Sequence, residues 1–172
     1  MKRYFDITTA KFDSGFYKRL GFYYFFTLGE DVLISDNPQQ ANKLVILSSR
    51  NDGKILRHLN TENVIGAIIE GNSRQRLLME ALSKSGKPAF IAANGILNAE
   101  PRARIRRLHE ARKFVRDSAR YKTGIAMVSM AQSREELLSS MQMFELAKLI
   151  GLPEEKARSS NEILGRYHDK QG

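Results

Sequence analysis

The stretch Val64-Ile65-Gly66-Ala67-Ile68-Ile69 decides the fold class of this chain. It is apolar on both alternating faces, whereas a strand with one solvated face alternates apolar and polar residues. A strand that is apolar on both faces is typical of a parallel sheet that is covered by helices or closed into a barrel. The stretch therefore predicts a buried parallel sheet.

Six further β-rich runs recur along the chain, with turn residues between them. The predicted strands span residues 3–8, 22–28, 32–35, 43–48, 64–69, 89–93 and 125–130. The predicted helices span residues 14–20, 51–60, 73–85, 101–122, 133–150 and 154–167. This order predicts an α/β fold. A full (β/α)₈ barrel takes roughly 200 residues or more. We therefore expect an irregular, trimmed barrel of about seven mostly parallel strands, in a single domain over residues 1–172.

Local signals predict several helix ends. Ser133 followed by Glu136 has the spacing of a capping box, which indicates that a helix begins there. Gly151 stands where the glycine after a helix belongs. Pro153 suits the first turn of the last helix.

The connection between the second and third predicted strands conflicts with a wholly parallel sheet. Only Gly29-Glu30-Asp31 separates these strands. A parallel crossover takes about a dozen residues or more. The two strands therefore form a hairpin, or one of them is misassigned.

The positive charge of the chain is concentrated in one element. The formal net charge is +9, from 28 Lys and Arg against 19 Asp and Glu. Residues 101–122 hold nine basic and two acidic side chains, a net charge of +7, and the other 150 residues share +2. Such an element predicts a polyanionic partner, with nucleic acid first and an anionic membrane surface second.

The helix predicted over residues 101–122 has a basic stripe, defined by six side chains that lie within about 80° of one another at helical spacing. These are Arg102, Arg106, His109, Lys113, Arg116 and Arg120. A second, apolar stripe should pack on the sheet and consists of Ile105, Leu108, Ala111, Val115 and Ala119. Because the basic stripe holds no acid and like charges at i,i+4 repel, we interpret it as a phosphate-backbone surface. A solvated charged face is the alternative.

Further cations stand on the apolar side of this helix or just beyond predicted strand ends. Arg112 is expected to reach past the sheet to water or a local carboxylate. Open α/β and barrel folds usually carry their sites at the carboxyl edge of the sheet. We therefore hypothesise a second phosphate-contacting surface there, with ordinary exposed rim residues as the alternative. Its members are Arg104, Lys11, Arg50, Arg74, Asn94 and Arg134.

Several enzyme classes are disfavoured by what the sequence lacks. It has no Cys and only three His, so it offers no thiolate ligand, no cysteine nucleophile and no histidine-rich metal motif. Glu70 lies at a possible rim position, but one acid pair does not establish acid–base catalysis. Asp6 is expected to be a hydrogen-bonded strand carboxylate, because Thr8 and Thr9 beyond it bind metal poorly. We expect no catalytic residue, no metal and no cofactor on this polypeptide.

Composition also bears on the compartment in which the protein is expected. The absence of cysteine favours a reducing compartment, and no run approaches the 18 apolar residues of a membrane span. We therefore expect a cytoplasmic protein that has no membrane-spanning segment and no membrane partner.

Several segments occur in an order that resembles a known family. They are Tyr4-Phe5-Asp6-Ile7, Val45-Ile46-Leu47-Ser48 and Val64-Ile65-Gly66-Ala67-Ile68 around Asn51-Asp52, Arg120-Tyr121-Lys122, Ser129-Met130-Ala131-Gln132, and the tail Leu146-Ala147-Lys148-Leu149-Ile150-Gly151-Leu152-Pro153-Glu154-Glu155-Lys156-Ala157. Together they resemble archaeal ribonuclease P protein component 3, the homologue of the eukaryotic thirty-kilodalton ribonuclease P subunit. The resemblance spans most of the chain from Lys43 onward.

The resemblance implies a seven-stranded, irregular TIM-like barrel. It also implies a non-catalytic, RNA-binding subunit of the ribonucleoprotein that removes 5′ leaders from precursor tRNA. The RNA subunit of that endoribonuclease would hold the Mg²⁺ ions. Implied partners are ribonuclease P RNA, precursor tRNA indirectly, and protein component 2. Arg104 and Ala131 fall on recurrent family positions. The expected RNA-binding residues are Arg102, Arg104, Arg106, Arg112, Lys113, Arg116, Arg120, Lys122, Lys11, Arg50, Arg74 and Arg134.

The chain departs from the family at two places. Where the family has Asp-x-Arg and then Pro-Arg-Asp, this chain reads Glu136-Leu137-Leu138 and Ser140-Met141-Gln142, so contacts made there are expected to be lost or to move onto Arg134. The short link after Leu28 implies that a family helix has been deleted. Two alternatives remain: a metal-dependent barrel hydrolase related to polymerase and histidinol phosphatases, and a generic basic nucleic-acid-binding module.

Overall fold

A computed structural model of the protein describes residues 3–40, 43–48, 52–68 and 75–168. The strands in these residues are β1 (Phe5–Thr8), β2 (Tyr24–Thr27), β3 (Val32–Ser35), β4 (Leu44–Ser48), β5 (Val64–Ile68), β6 (Ala89–Ala92) and β7 (Ile125–Val128). The helices are α1 (Ser14–Arg19), α2 (Asp52–His58), α3 (Gln75–Ser85), α4 (Ala93–Leu97), α5 (Pro101–Tyr121), α6 (Ser140–Leu149), α7 (Glu154–Ser159) and α8 (Gly165–His168). All seven predicted strands are confirmed.

The strands are parallel and follow one another in chain order. β1 pairs with β2, and β3 to β7 form a five-stranded sheet. A parallel bridge between Leu28 and Val32 joins the two sheets on one side. On the other side, the Met130 N–H donates to the Ile7 carbonyl at 2.9 Å and the Thr9 N–H to the Ala131 carbonyl at 2.8 Å. The predicted α/β, barrel-like arrangement of mostly parallel strands is therefore confirmed.

Both expectations for the short link between β2 and β3 are wrong. The two strands exist as predicted, and they do not form a hairpin. The Thr27 N–H donates to Asp31 Oδ2 at 2.7 Å, and the Gly29 N–H donates to the Val32 carbonyl at 2.7 Å. This turn moves the chain sideways without reversing it. Since β2 pairs with β1 while β3 pairs with β4, no crossover helix is needed.

Every strand contributes to an inner core cluster. Its buried members are Phe5, Ile7, Phe26, Val32, Ile46, Ile65, Phe90, Ala126, Val128 and Leu164. Leu164 comes from the C-terminal segment, which also accepts the Phe5 N–H on the Asn161 carbonyl at 2.9 Å. The Tyr167 hydroxyl donates to the Ile65 carbonyl at 3.1 Å. A small barrel filled by its own side chains has such an interior, and here the tail closes its amino end.

A second, larger core lies between the strands and the surrounding helices, which explains why β5 is apolar on both faces. Val64 and Ala67 belong to this outer core, whereas Ile65 belongs to the inner one. The register of β5 against β4 shifts at Gly66. A Cβ at Gly66 would lie 2.3 Å from the Pro88 carbonyl oxygen, so the close approach of β6 requires glycine there.

The helix predicted over residues 133–150 begins later than expected. Only a 3₁₀ turn, Arg134–Glu136, follows Ser133, whose side chain makes no capping bond. The capping box is instead formed by Ser139, whose Oγ accepts the Gln142 N–H at 3.2 Å while Gln142 Oε1 accepts the Ser139 N–H at 2.8 Å. Glu136 is unable to cap Ser133 because its carboxylate accepts hydrogen bonds from Gln132, Asn94 and Asn98.

Two other helix predictions need correction. The helix expected over residues 154–167 is divided into α7 and α8, with a turn between them. Helix α4 begins at Ala93, which the sequence placed in a strand. The glycine expected after α6 is confirmed, since Gly151 has a φ of +100° and donates its N–H to the Lys148 carbonyl at 2.9 Å.

A buried carboxylate lies between β1 and β7. Asp6 Oδ1 accepts the Ser129 N–H at 2.6 Å and the Ile7 N–H at 2.8 Å, as expected of a hydrogen-bonded strand carboxylate. Within the described part of the chain its other oxygen has no hydrogen-bond partner. Burial raises the pKa of Asp6 from 3.8 to about 7, although the bonds from Ser129 and Ile7 act to lower it.

The raised pKa of Asp6 predicts a specific pH dependence of stability. Between about pH 4 and pH 7 the folded protein holds a proton that the unfolded chain has released. The free energy of unfolding should therefore fall as pH rises through this window, by at most about 1.4 kcal/mol for each pH unit. Urea titrations of wild type and Asp6→Asn at about pH 5 and pH 8 measure this fall. It should be smaller in Asp6→Asn, and equal falls would contradict the prediction.

The position of the capping box is tested by two serine substitutions. Ser139→Ala should lower the free energy of unfolding by about 1 kcal/mol, because the Gln142 N–H loses its acceptor. Ser133→Ala is the matched control and should have a much smaller effect. Chemical denaturation followed by circular dichroism makes the comparison. A larger loss of stability in Ser133→Ala than in Ser139→Ala would place the capping box at Ser133, as expected from the sequence.

Candidate nucleic-acid interface

Helix α5 presents the basic stripe directly to solvent. Its buried residues are Ala111, Phe114, Val115 and Ser118. At helical spacing this buried arc is centred opposite the basic stripe. All six members of the stripe are exposed, as expected: Arg102, Arg106, His109, Lys113, Arg116 and Arg120. The helix is about 30 Å long, so the stripe is an extended surface.

The apolar stripe predicted for this helix is partly wrong. Ile105 is 70% exposed and Ala119 is also exposed, whereas Phe114 and Ser118 are buried. The buried arc is therefore rotated towards Phe114.

Few acids neutralise the basic stripe. Arg106 Nε lies 3.9 Å from Glu110 Oε1, and both side chains are exposed. Exposed pairs of this kind contribute little energy and are screened by salt. Among the described residues, Arg102, Lys113 and Arg116 have no carboxylate partner. Most of the stripe's charge is thus available to an external anion.

Other cations of α5 bind backbone carbonyl groups in or just after neighbouring helices. Arg107 donates to the Gly95 carbonyl in α4, and Arg104 Nε donates to the Ala99 carbonyl at 3.3 Å. Arg112 Nε donates to the Leu149 carbonyl of α6 at 3.1 Å. A cation is favourable at a helix carboxyl terminus. Arg112 is exposed, so it reaches water as expected, and it also binds the carboxyl end of α6.

Three described members of the hypothesised surface at the carboxyl edge contact acidic side chains. Lys11 Nζ pairs with Glu30 at 3.0 Å. Arg134 lies 3.6 Å from Asp13 and stacks over the Phe16 ring at 4.8 Å. Asn94 is buried and donates to Glu136 at 3.4 Å. These three side chains thus contact three different acids.

Three residues singled out from the sequence lie outside the described residues. They are Arg50, Arg74 and Glu70. Contact of Arg50, Arg74, Lys11, Arg104 and Arg134 with phosphate stays a prediction.

A cleft of about 780 Å³ lies beside the carboxyl-terminal half of α5. Its walls are α5, the start of β7 and the segments around α6, α7 and α8. We call it the basic cleft, because the described residues that line it include five cations: Arg112, Arg116, Lys122, Lys156 and Arg166. Lys122 follows α5 in a left-handed conformation with a φ of 57°. Among the described lining residues, Glu162 is the acid.

Sequence reasoning missed Lys156 and Arg166. They lie more than thirty positions beyond the basic helix, in a tail where acids and bases are mixed. No local spacing signals their approach to Arg116. Only the docking of the tail against the amino end of the barrel brings them there.

The described residues show neither a metal-ligand cluster nor a membrane-spanning helix. They contain no group of three or more His, Asp or Glu side chains arranged to hold a metal ion. No helix among them combines the length and the apolarity that crossing a membrane requires. The absence of a metal and a cofactor from the working protein stays a prediction.

Comparison with known proteins gives a likeness in structure but not in sequence family. No protein-family model matches the chain, and no curated protein matches it. Among solved structures, the chain is similar to a chain in a cryo-EM structure of archaeal ribonuclease P with mature tRNA, with a TM-score of 0.66 and 12% identity. The match covers 99% of this chain and 82% of that chain. At this low identity, the likeness establishes that the two chains share a fold.

Proposed function

We propose that this protein is a non-catalytic, RNA-binding subunit of ribonuclease P, corresponding to protein component 3. The observation that carries the proposal is the exposed, nearly unpaired basic stripe of α5, on a fold shared with a chain of an archaeal ribonuclease P structure. In this role its partners are ribonuclease P RNA and protein component 2. It meets precursor tRNA indirectly, in the cytoplasm.

The chemistry of the stripe suits a phosphate backbone. Arginine forks and lysine ammonium groups bind phosphate oxygens without reading the sequence of the bases. Each neutralised phosphate releases counterions, which makes such binding strongly salt-dependent. The stripe therefore supplies positioning and charge neutralisation, while the Mg²⁺ ions and the cleavage chemistry belong to the RNA subunit.

The position of the basic cleft weakens the alternative of a barrel hydrolase. Barrel enzymes carry their sites at the carboxyl ends of the strands. Here the cleft is lined by Thr123, Gly124 and Ile125, at the amino end of β7. At the opposite edge, Lys11 and Arg134 are paired with acids.

A generic nucleic-acid-binding module differs from the proposed subunit in its partner. Affinity purification from the native cell, followed by sequencing of the bound RNA, separates the two. Enrichment of ribonuclease P RNA supports the subunit. Enrichment of unrelated RNAs with no ribonuclease P RNA would overturn it.

Reconstitution gives the first functional prediction. Adding this protein and component 2 to the RNA subunit should lower the Mg²⁺ concentration needed for precursor-tRNA cleavage, because basic side chains take over part of the phosphate neutralisation. The measurement is the cleavage rate across a Mg²⁺ titration. The double variant Arg106→Ala/Lys113→Ala should lose part of the effect. The protein without RNA should not cleave, and multiple-turnover cleavage by it alone would contradict the proposal.

The salt dependence of RNA binding gives a second prediction. Replacing Arg102, Lys113 or Arg116 singly with Ala should reduce the slope of log K against log salt by about one, because one phosphate contact is removed. Filter binding across a salt series measures the slope. Lys54→Ala is the matched control, because Lys54 lies on α2, outside the basic stripe. Its Nζ is paired with Asp36 Oδ2 at 2.6 Å. An equal reduction in Lys54→Ala would show that net charge, rather than the stripe, governs binding.

A further inference from the structure

We infer that the basic cleft binds an unpaired nucleotide of RNA, with the base inside and the flanking phosphates on the cationic lip. The inference rests on the RNA-binding part of the proposed function and not on the ribonuclease P assignment. It deepens that function by giving the protein a site that distinguishes single-stranded RNA from a duplex.

The charge of the lip suits phosphate. The described residues that line the cleft include five cations and one carboxylate, which together carry a formal net charge of +4. None of the five cations has a carboxylate partner within the part of the chain that the structure describes. Arg112 is held in place by its bond to the Leu149 carbonyl. Such a fixed guanidinium loses little freedom on binding an anion.

The floor of the cleft suits the face of a base. Its lining includes the apolar side chains of Val115, Ile125, Ile150, Leu152 and Ile163. Among these, Ile163 is half-buried and the other four are buried. Phosphate alone would not require an apolar floor beneath a cationic lip. A nucleotide matches both parts, because its base has apolar faces and its phosphate is anionic.

The size and position of the cleft select unpaired RNA. A volume of about 780 Å³ lies within the usual range of small-ligand sites. Bases of a duplex are stacked and paired, so a duplex offers this protein mainly its backbone. Arg116 belongs both to the basic stripe and to the cleft lining. The RNA strand that leaves the cleft past Arg116 therefore continues along the basic stripe of α5.

A variant that fills the cleft without changing charge tests this inference. Ala119 and Ser159 are exposed residues in the lining, on α5 and α7. The double variant Ala119→Leu/Ser159→Leu adds aliphatic bulk from both walls and introduces no ring on which a base could stack. Circular dichroism and thermal melting establish that the variant is folded.

The probes are a fluorescent single-stranded oligouridine and a fluorescent RNA duplex, each bound to the full chain and followed by anisotropy. The filled variant should bind the single strand about tenfold more weakly, the loss expected when one base contact is removed. Its affinity for the duplex should stay within about twofold of wild type. Lys113→Ala is the matched stripe variant and should weaken both ligands equally.

Two results would overturn the inference. One is unchanged single-strand affinity in the filled variant, and the other is an equal loss for both ligands. Lys156→Ala is a second test, independent of the filled variant's folding, and should weaken single-strand binding more than duplex binding. Because synthetic RNAs are used, failure here would leave the ribonuclease P assignment standing. Failure of the copurification experiment would likewise leave the cleft untouched.

Discussion

The contact between Asp6 and the backbone of Ser129 closes the barrel, and the other parts of the structure depend on that closure. The carboxylate accepts an N–H from the end of β7 while it lies in β1, so the first and last strands are held side by side. The neighbouring bonds from Met130 to Ile7 and from Thr9 to Ala131 extend the same seam. A buried carboxylate is costly to ionise, and the raised pKa of Asp6 reflects that cost. Closure of the seam completes an inner core that no single sheet could enclose.

The closed barrel determines where the basic groups lie. Its amino end is closed by the tail, through Leu164 and the Tyr167 hydroxyl. Docking of the tail sets α7 and α8 beside the carboxyl-terminal half of α5. Lys156 and Arg166 thereby join Arg116 around one cleft. The barrel thus acts on function indirectly, since it presents the basic stripe on one side and assembles the basic cleft at one end.

Acidic partners are distributed differently at the carboxyl edge of the strands and around the basic stripe and the basic cleft. At the carboxyl edge of the strands, Lys11 and Arg134 are paired with carboxylates. Glu136 accepts hydrogen bonds from Asn94 in α4 and from Asn98 just after it. Among the described residues, the basic stripe has one such pair, Arg106 with Glu110, and the five cations of the basic cleft have none. Most of the charge on these two surfaces is therefore open to an external anion, in keeping with the proposed role in RNA binding.

The sequence by itself determined the seven strands and the solvent-facing basic stripe, because both follow from the spacing of neighbouring residues. The tertiary structure alone decided which partners distant residues meet. Glu136 has the right spacing to cap Ser133, but Asn94 and Asn98 engage its carboxylate, so the helix begins after Ser139. The turn before β3 joins parallel strands because each pairs with a different neighbour. Lys156 and Arg166 reach the cleft only through the docking of the tail, since packing between distant segments leaves no periodic signal in the chain.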